Sequence, residues 1–131
     1  MKIIRGSEIE YEAASHEDPN DPGVLKKVLG TAADLGRGEV PMLNWSLLRV
    51  GKAFQRHYHE DMREIFVIIG GVVDVTVEVS GDIETTQLHG GDAIVIEPRE
   101  IHSMANNGTG DVTYLVFGIS AGKDGKTVVV E

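Results

Sequence analysis

The chain has 131 residues, enough for one domain with a proper core. Its 21 acidic residues outnumber 12 basic ones, for a formal net charge of −9. That excess repels a phosphate backbone and excludes nucleic acid as an expected partner. Cysteine is absent, which excludes disulfides and thiolate metal ligands. No apolar run reaches the length of a signal peptide or a membrane span, so a cytoplasmic chain with no membrane partner is expected.

Residues 1–12 carry Ile3, Ile4, Ile9 and Tyr11 among polar residues and predict a short strand. Residues 13–23 hold Pro19, Asn20, Asp21, Pro22 and Gly23, the chemistry of a loop, and His16 reads as a solvated loop histidine. In residues 24–29 the apolar positions 24, 25, 28 and 29 fit helical spacing slightly better than a strand. Residues 31–41, with Gly36, Gly38 and Pro41, predict another loop. Residues 42–50 form a mainly apolar run around Trp45, expected as a strand buried on both faces.

After a turn at residues 51–53, an extended segment over 55–60 projects His57 and His59 to one face and Tyr58 to the other. Residues 60–63 suit a short turn. The next apolar run, 64–69, has Glu64, Phe66 and Ile68 in one phase, and a strand returning beside the first would set Glu64 next to the histidine pair. Gly70 and Gly71 break or bulge that strand, and Val73, Val75, Val77 and Val79 then alternate with polar residues. A hairpin turn at 80–82 leads to a return strand, 83–88, and His89 falls in the turn that follows. Residues 93–96 are a short strand. Residues 101–106 place His102, Met104 and Asn106 in one phase. After a turn at 107–110 come strands at 111–117 and 127–130, with a loop between. Roughly ten short strands, glycine-rich turns and no long helix define an all-β sandwich or barrel.

Two stretches carry a more specific pattern. Gly51, His57, His59, Glu64 and Gly71 read G-x5-H-x-H-x4-E-x6-G, which resembles the first motif of the cupin family at every fixed position. The second motif, G-x5-P-x-G-x2-H-x3-N, is matched at Gly91, His102 and Asn106. Glu97 stands in place of its proline and Arg99 in place of its second glycine. The resemblance covers residues 43–117 and implies a double-stranded β-helix, or jelly-roll barrel, with the core barrel at about 42–118 and N-terminal strands and loops over 1–41. It also implies a strand at 24–29, a structural role for Asn106 and a homodimer formed through the sheets.

His57, His59, Glu64 and His102 are the expected metal ligands. Three imidazoles and a carboxylate suit one divalent transition-metal ion, Fe, Mn, Zn, Ni or Co, and on a six-coordinate ion leave two positions for water, substrate or dioxygen. The expected partner is a small molecule. A dioxygenase, a Lewis-acid isomerase or lyase, and a non-catalytic sugar-like binding module all stay open. Gln55, Phe66 and Met104 share strand phase with ligands and are candidate substrate contacts, as is Arg99 beside His102.

Overall fold

The structure, a computed structural model, describes residues 4–35, 39–120 and 126–131. Its strands are β1 (Glu12–Ala13), β2 (Leu25–Thr31), β3 (Met42–Leu48), β4 (His57–His59), β5 (Met62–Gly70), β6 (Val72–Val79), β7 (Asp82–His89), β8 (Ala93–Ile96), β9 (Ile101–Ala105), β10 (Val112–Ser120) and β11 (Thr127–Val129). They form two antiparallel sheets in the orders β1-β2-β3-β10-β5-β8 and β11-β4-β9-β6-β7. From β3 onward consecutive strands cross from one sheet to the other, except at the β6–β7 hairpin, which makes the fold an all-β jelly-roll barrel. No helix among the described residues is long and apolar enough to cross a membrane.

The alternating pattern of β6 folds as expected: Val73 and Val75 are buried, and the strand pairs with β7 through a tight turn at Ser80 and Gly81. Val79, at the strand end, is exposed. Gly71, between β5 and β6, has φ +96, and a Cβ there would meet Asp111 O at 2.9 Å. Glycine is the residue that tolerates both conditions.

Residues 25–29 are strand, as the family resemblance implies, and not helix. Cross-strand pairing of β2 with β3 overrides the weak helical spacing. The expected N-terminal strand shrinks to the two residues of β1, preceded by a 3-10 turn at Gly6–Glu8, because Tyr11 stays exposed and packs on Lys27. Residues 1–3 lie outside the described residues. The expected loop at 31–41 contains a four-residue helix, Ala32–Leu35, whose Asp34 carboxylate accepts from the Thr31 amide and hydroxyl, both at 3.1 Å. Residues 36–38 lie outside the described residues.

β3 departs from its reading in a way that matters for the site. Asn44, Ser46 and Leu48 point inward and are buried, whereas Leu43, Trp45 and Leu47 face outward and are half-buried. Register extends both faces across the sheet. The outward row continues through Leu115 and Phe117 on β10 and Ile65 and Val67 on β5. The inward row changes character along the strands, from Leu48 and Ile68 in the apolar core to Asn44, Ser46 and Glu64.

Asn106 closes the apolar end. It is fully buried; its amide donates to Leu48 O and Gly110 O, both at 2.9 Å, and its Oδ1 accepts from the Gly108 amide at 3.1 Å. It ties β3, β9 and the 107–110 turn together. Asn106→Ala strands two buried carbonyls and an amide. It should lower the unfolding free energy by about 2–4 kcal/mol in urea titration.

Candidate metal centre

His57 and His59 project inward from β4, with the half-buried Tyr58 on the opposite phase. His102, on β9, is the direct cross-strand partner of His57, so three imidazoles rise from one sheet. Glu64 comes from β5 in the other sheet and crosses the interior to meet them. The expected arrangement, with the strand of Glu64 lying beside the histidine strand, is not the one found. β4 is flanked by β11 and β9, and the chain changes sheets at Glu60 and Asp61. That crossing is fixed by two bonds to one residue: Glu60 N donates to Lys126 O at 3.0 Å, and Lys126 N donates to the Asp61 carboxylate at 3.2 Å.

All four side chains are buried, and one ligand atom from each lies within 4.8 Å of the others. His59 Nε2 and His102 Nε2 stand 2.7 and 2.9 Å from the same Glu64 Oε1. These contacts have hydrogen-bond length but not hydrogen-bond angles, and all three atoms are buried without a partner. Buried polar atoms without partners are costly, and ligand atoms gathered this closely are what a divalent cation satisfies.

The opposite ring nitrogens agree with this. His57 Nδ1 lies 2.8 Å from Gln55 O, His102 Nδ1 3.0 Å from Glu100 O, and His59 Nδ1 3.0 Å from Thr127 Oγ1. The two carbonyls can only accept, so Nδ1 carries the proton in His57 and His102 and Nε2 keeps its lone pair. This buried group can therefore hold a metal ion.

Electrostatics keep His57 and Glu64 unprotonated. Burial pushes His57 down to about 3, assisted by His102 and His16 and opposed by the Gln55 carbonyl and Glu64. Burial alone would raise the Glu64 carboxyl, but His102 and His59 against Oε1 hold it well below the usual carboxylate range.

A cavity of about 270 Å³ opens beside the group, lined among others by Asn44, Ser46, Phe54, Phe66 and Tyr114. Burial raises the Tyr114 hydroxyl, which bonds Ser46. Of the four candidate substrate contacts, Phe66 lines this cavity. Met104 is buried in the apolar core and is not among its lining residues. Gln55 and Arg99 are exposed and do not line it either. Because β4 begins at His57, strand phase does not extend to Gln55, which contributes its backbone: its carbonyl faces His57 and its amide donates to Glu17 Oε2 at 2.9 Å. Arg99 adopts φ +69, the left-handed conformation of the glycine it replaces, and its amide donates to His59 O at 2.8 Å.

The residue that sequence reasoning missed is His16. It is not a solvated loop histidine. It lines the cavity and stacks on His57 with ring centroids 4.1 Å apart. Glu17 pins its loop, accepting from the Gly23 amide at 2.6 Å and from the Gln55 amide. Burial pushes His16 down to about 4, against the pull of Glu64, and its Nε2 has no hydrogen-bond partner. Nothing local in the sequence signals this, since the contact joins residues far apart in the chain. His89, by contrast, is the exposed turn residue expected.

A jelly-roll barrel with a buried His-His-Glu-His group beside a cavity defines a metal-capable protein. The chain matches the family model described as "Cupin domain" over residues 44–118, more than half its length, and it belongs to the cupin family. No curated protein matches it. Among solved structures it is similar to a predicted oxalate decarboxylase from Thermotoga maritima, at 24% identity and TM-score 0.75, over 91% of this chain and 99% of that one. The polyketide cyclase RemF from Streptomyces resistomycificus gives 18% identity and TM-score 0.76 over 100% and 87% of the two chains. A sugar phosphate isomerase of the cupin superfamily from Silicibacter pomeroyi gives 19% and 0.70 over 90% and 75%. At these identities the likeness is one of fold.

The depressed histidines set a pH dependence. Folded His57 and His16 stay neutral to about 3 and 4, while unfolded imidazoles take up protons near 6.5. Below 6.5 the unfolded chain binds more protons, so stability falls with pH; Glu64 adds a loss of the same sign below its unfolded value of 4.5. Melting temperature of the chelator-treated protein should therefore drop steadily from pH 7 to pH 5, with a shallower slope in His16→Phe. A flat profile in the parent would contradict the assignment.

Proposed function

We propose that this cupin holds one divalent transition-metal ion on His57, His59, Glu64 and His102 and acts as a metal-dependent enzyme on a small molecule admitted to the adjoining cavity. The supporting observation is the convergence of His59 Nε2, Glu64 Oε1 and His102 Nε2, buried and without partners. Imidazole and carboxylate together suit Fe, Mn, Zn, Ni or Co. When bound, such an ion supplies Lewis-acid polarisation of a substrate oxygen or, as iron, chemistry with dioxygen.

The chain's own residues do the rest. Gln55 O, Glu100 O and Thr127 Oγ1 fix the imidazole planes from behind. Phe54 and Phe66 stand edge-on to His102 at 6.1 and 5.9 Å between centroids and keep water from its far side. Glu64 supplies one negative charge from the opposite sheet. Proteins of similar fold include a predicted oxalate decarboxylase, a polyketide cyclase and a sugar phosphate isomerase, which favours an enzyme over a passive binder.

Elemental analysis tests the site. The purified protein should carry close to one transition-metal ion per chain, lost in His57→Ala, His59→Ala, Glu64→Ala and His102→Ala and kept in His89→Ala. Thr127→Val, which removes only the bond behind His59, should weaken metal affinity about tenfold to a hundredfold. Equal metal content throughout would remove the site. Nitric oxide added to anaerobic Fe(II)-loaded protein should give a high-spin nitrosyl spectrum if coordination positions are open. Oxygen uptake with a defined substrate then separates the two chemistries, and ligand binding without turnover would make the protein a binding module.

We also propose a homodimer formed through the outer face of the six-stranded sheet. Trp45, Leu43 and Leu47 on β3 continue into Leu115, Phe117, Ile65 and Val67, an apolar surface that one copy leaves half-buried. Light scattering should give a dimer at micromolar concentration and a monomer for Trp45→Glu. A parent that is monomeric throughout that range would sink the proposal.

A further inference from the structure

Lys26 is on the wrong face for a lysine. Register aligns it with Ser46 on β3 and Tyr114 on β10, both buried, so its side chain springs from the interior surface of the sheet. It lines the cavity together with His16, Asn44 and Ser46. Its cross-strand neighbour Glu12 is exposed, and among the described residues no ion pair engages the Lys26 ammonium. Lys26 is near enough for its charge to act on His16, whose Nε2 is buried with no hydrogen bond, the Glu17 carboxylate lying 3.6 Å from it. A half-buried lysine that lines a cavity and has no ion pair among the described residues is free to meet an incoming anion.

We propose that the cavity is built for a small organic acid, with a carboxylate of the ligand held between Lys26 and His16. This rests on the function proposed above and names its substrate class. The charge of the proposed centre acts in the same sense, because one carboxylate against a divalent ion leaves the floor of the cavity positive. Asn44 and Ser46 offer hydrogen bonds to further oxygens, and Val24, Val28 and Val116 take the hydrocarbon portion. A volume of about 270 Å³ admits an acid of a few carbons rather than a large ligand, being below the range of about 300–1,000 Å³ usual for drug-sized molecules.

Malonate and its uncharged diamide, malonamide, are suitable probes. Each is titrated into the metal-loaded and the chelator-stripped protein by calorimetry, with ¹⁵N NMR to locate the shifts. Malonate should bind both forms, with shifts at Lys26 and His16, and malonamide should bind at least about tenfold more weakly. On the stripped protein Lys26→Met should weaken malonate binding about tenfold or more, and Lys26→Arg should hold it within about threefold. His16→Phe, which keeps the stacked ring but removes the ring nitrogens, should also weaken it. Folding of each variant is checked by its NMR dispersion. Equal affinity for malonamide, unchanged malonate affinity of Lys26→Met on the stripped protein, or no malonate binding to either form overturns the proposal. The stripped protein reads the acid site without metal, and elemental analysis reads the metal site without ligand, so failure of one is distinguishable from failure of the other.

Discussion

The structure depends on a buried carboxylate meeting buried imidazoles across the gap between two sheets. Glu64 Oε1 is within 2.9 Å of two Nε2 atoms that belong to the opposite sheet. Bringing a carboxylate into the interior is expensive by itself. It is tolerable here because the imidazoles are held rigidly from behind, by two carbonyls and a hydroxyl, with Nδ1 fixed and Nε2 facing in. The apolar core of Leu48, Ile68, Val73 and Val75 keeps the sheets at a set distance, and the group inherits that distance. A cation at the convergence point would turn this cluster of partnerless atoms into an added link between the sheets.

Much of this was legible from residue spacing. A strand puts i and i+2 on one face, so H-x-H at 57 and 59 already specified two converging imidazoles. Valines alternating over β6 and glycines at turns specified an all-β fold. What spacing did not carry was sheet membership. A four-residue polar turn after His59 is compatible with a hairpin or with a crossing, and the bonds that decide between them come from Lys126, far along the chain. His16 was illegible for the same reason. Its loop has the composition of a solvated segment, and only the bonds from Gly23 and Gln55 to Glu17 draw it over the cavity.

The departures at Glu97 and Arg99 illustrate how a backbone requirement outlives the residue that usually meets it. The position needs a left-handed conformation, and Arg99 takes it at φ +69. A non-glycine residue gives up roughly 1 kcal/mol to do so. Neighbouring bonds compensate: Arg99 N to His59 O, Glu100 N to Glu97 O, and the Glu97 amide to the Glu100 carboxylate at 2.8 Å. One of these ends on a proposed ligand residue, so the turn is coupled to the strand that presents His59. With these turn residues in place, His102 still pairs across the strands with His57.

β3 shows why a hydrophobic run need not be read as core. Its strongest apolar residues, Leu43, Trp45 and Leu47, face out, and its polar ones, Asn44 and Ser46, face in. In a barrel filled throughout with side chains this inversion would be destabilising, since polar atoms would be sealed in and apolar area left wet. It becomes sensible when the interior contains a polar cavity and the exterior is covered. Lys26, aligned with Ser46 on the next strand, follows the same inverted phase. The polar phase of β2 and β3 thus faces the cavity proposed for the ligand, and the apolar phase forms the face proposed for the dimer. A single strand carries both demands because its two faces alternate residue by residue. Substitutions on β3 should accordingly separate by parity: positions 42, 44 and 46 act on the cavity, 48 on the apolar core, and odd positions on the outer face. A one-residue slip of register would exchange the two, which is why the pairing of β3 with both β2 and β10 holds cavity and outer face in register together.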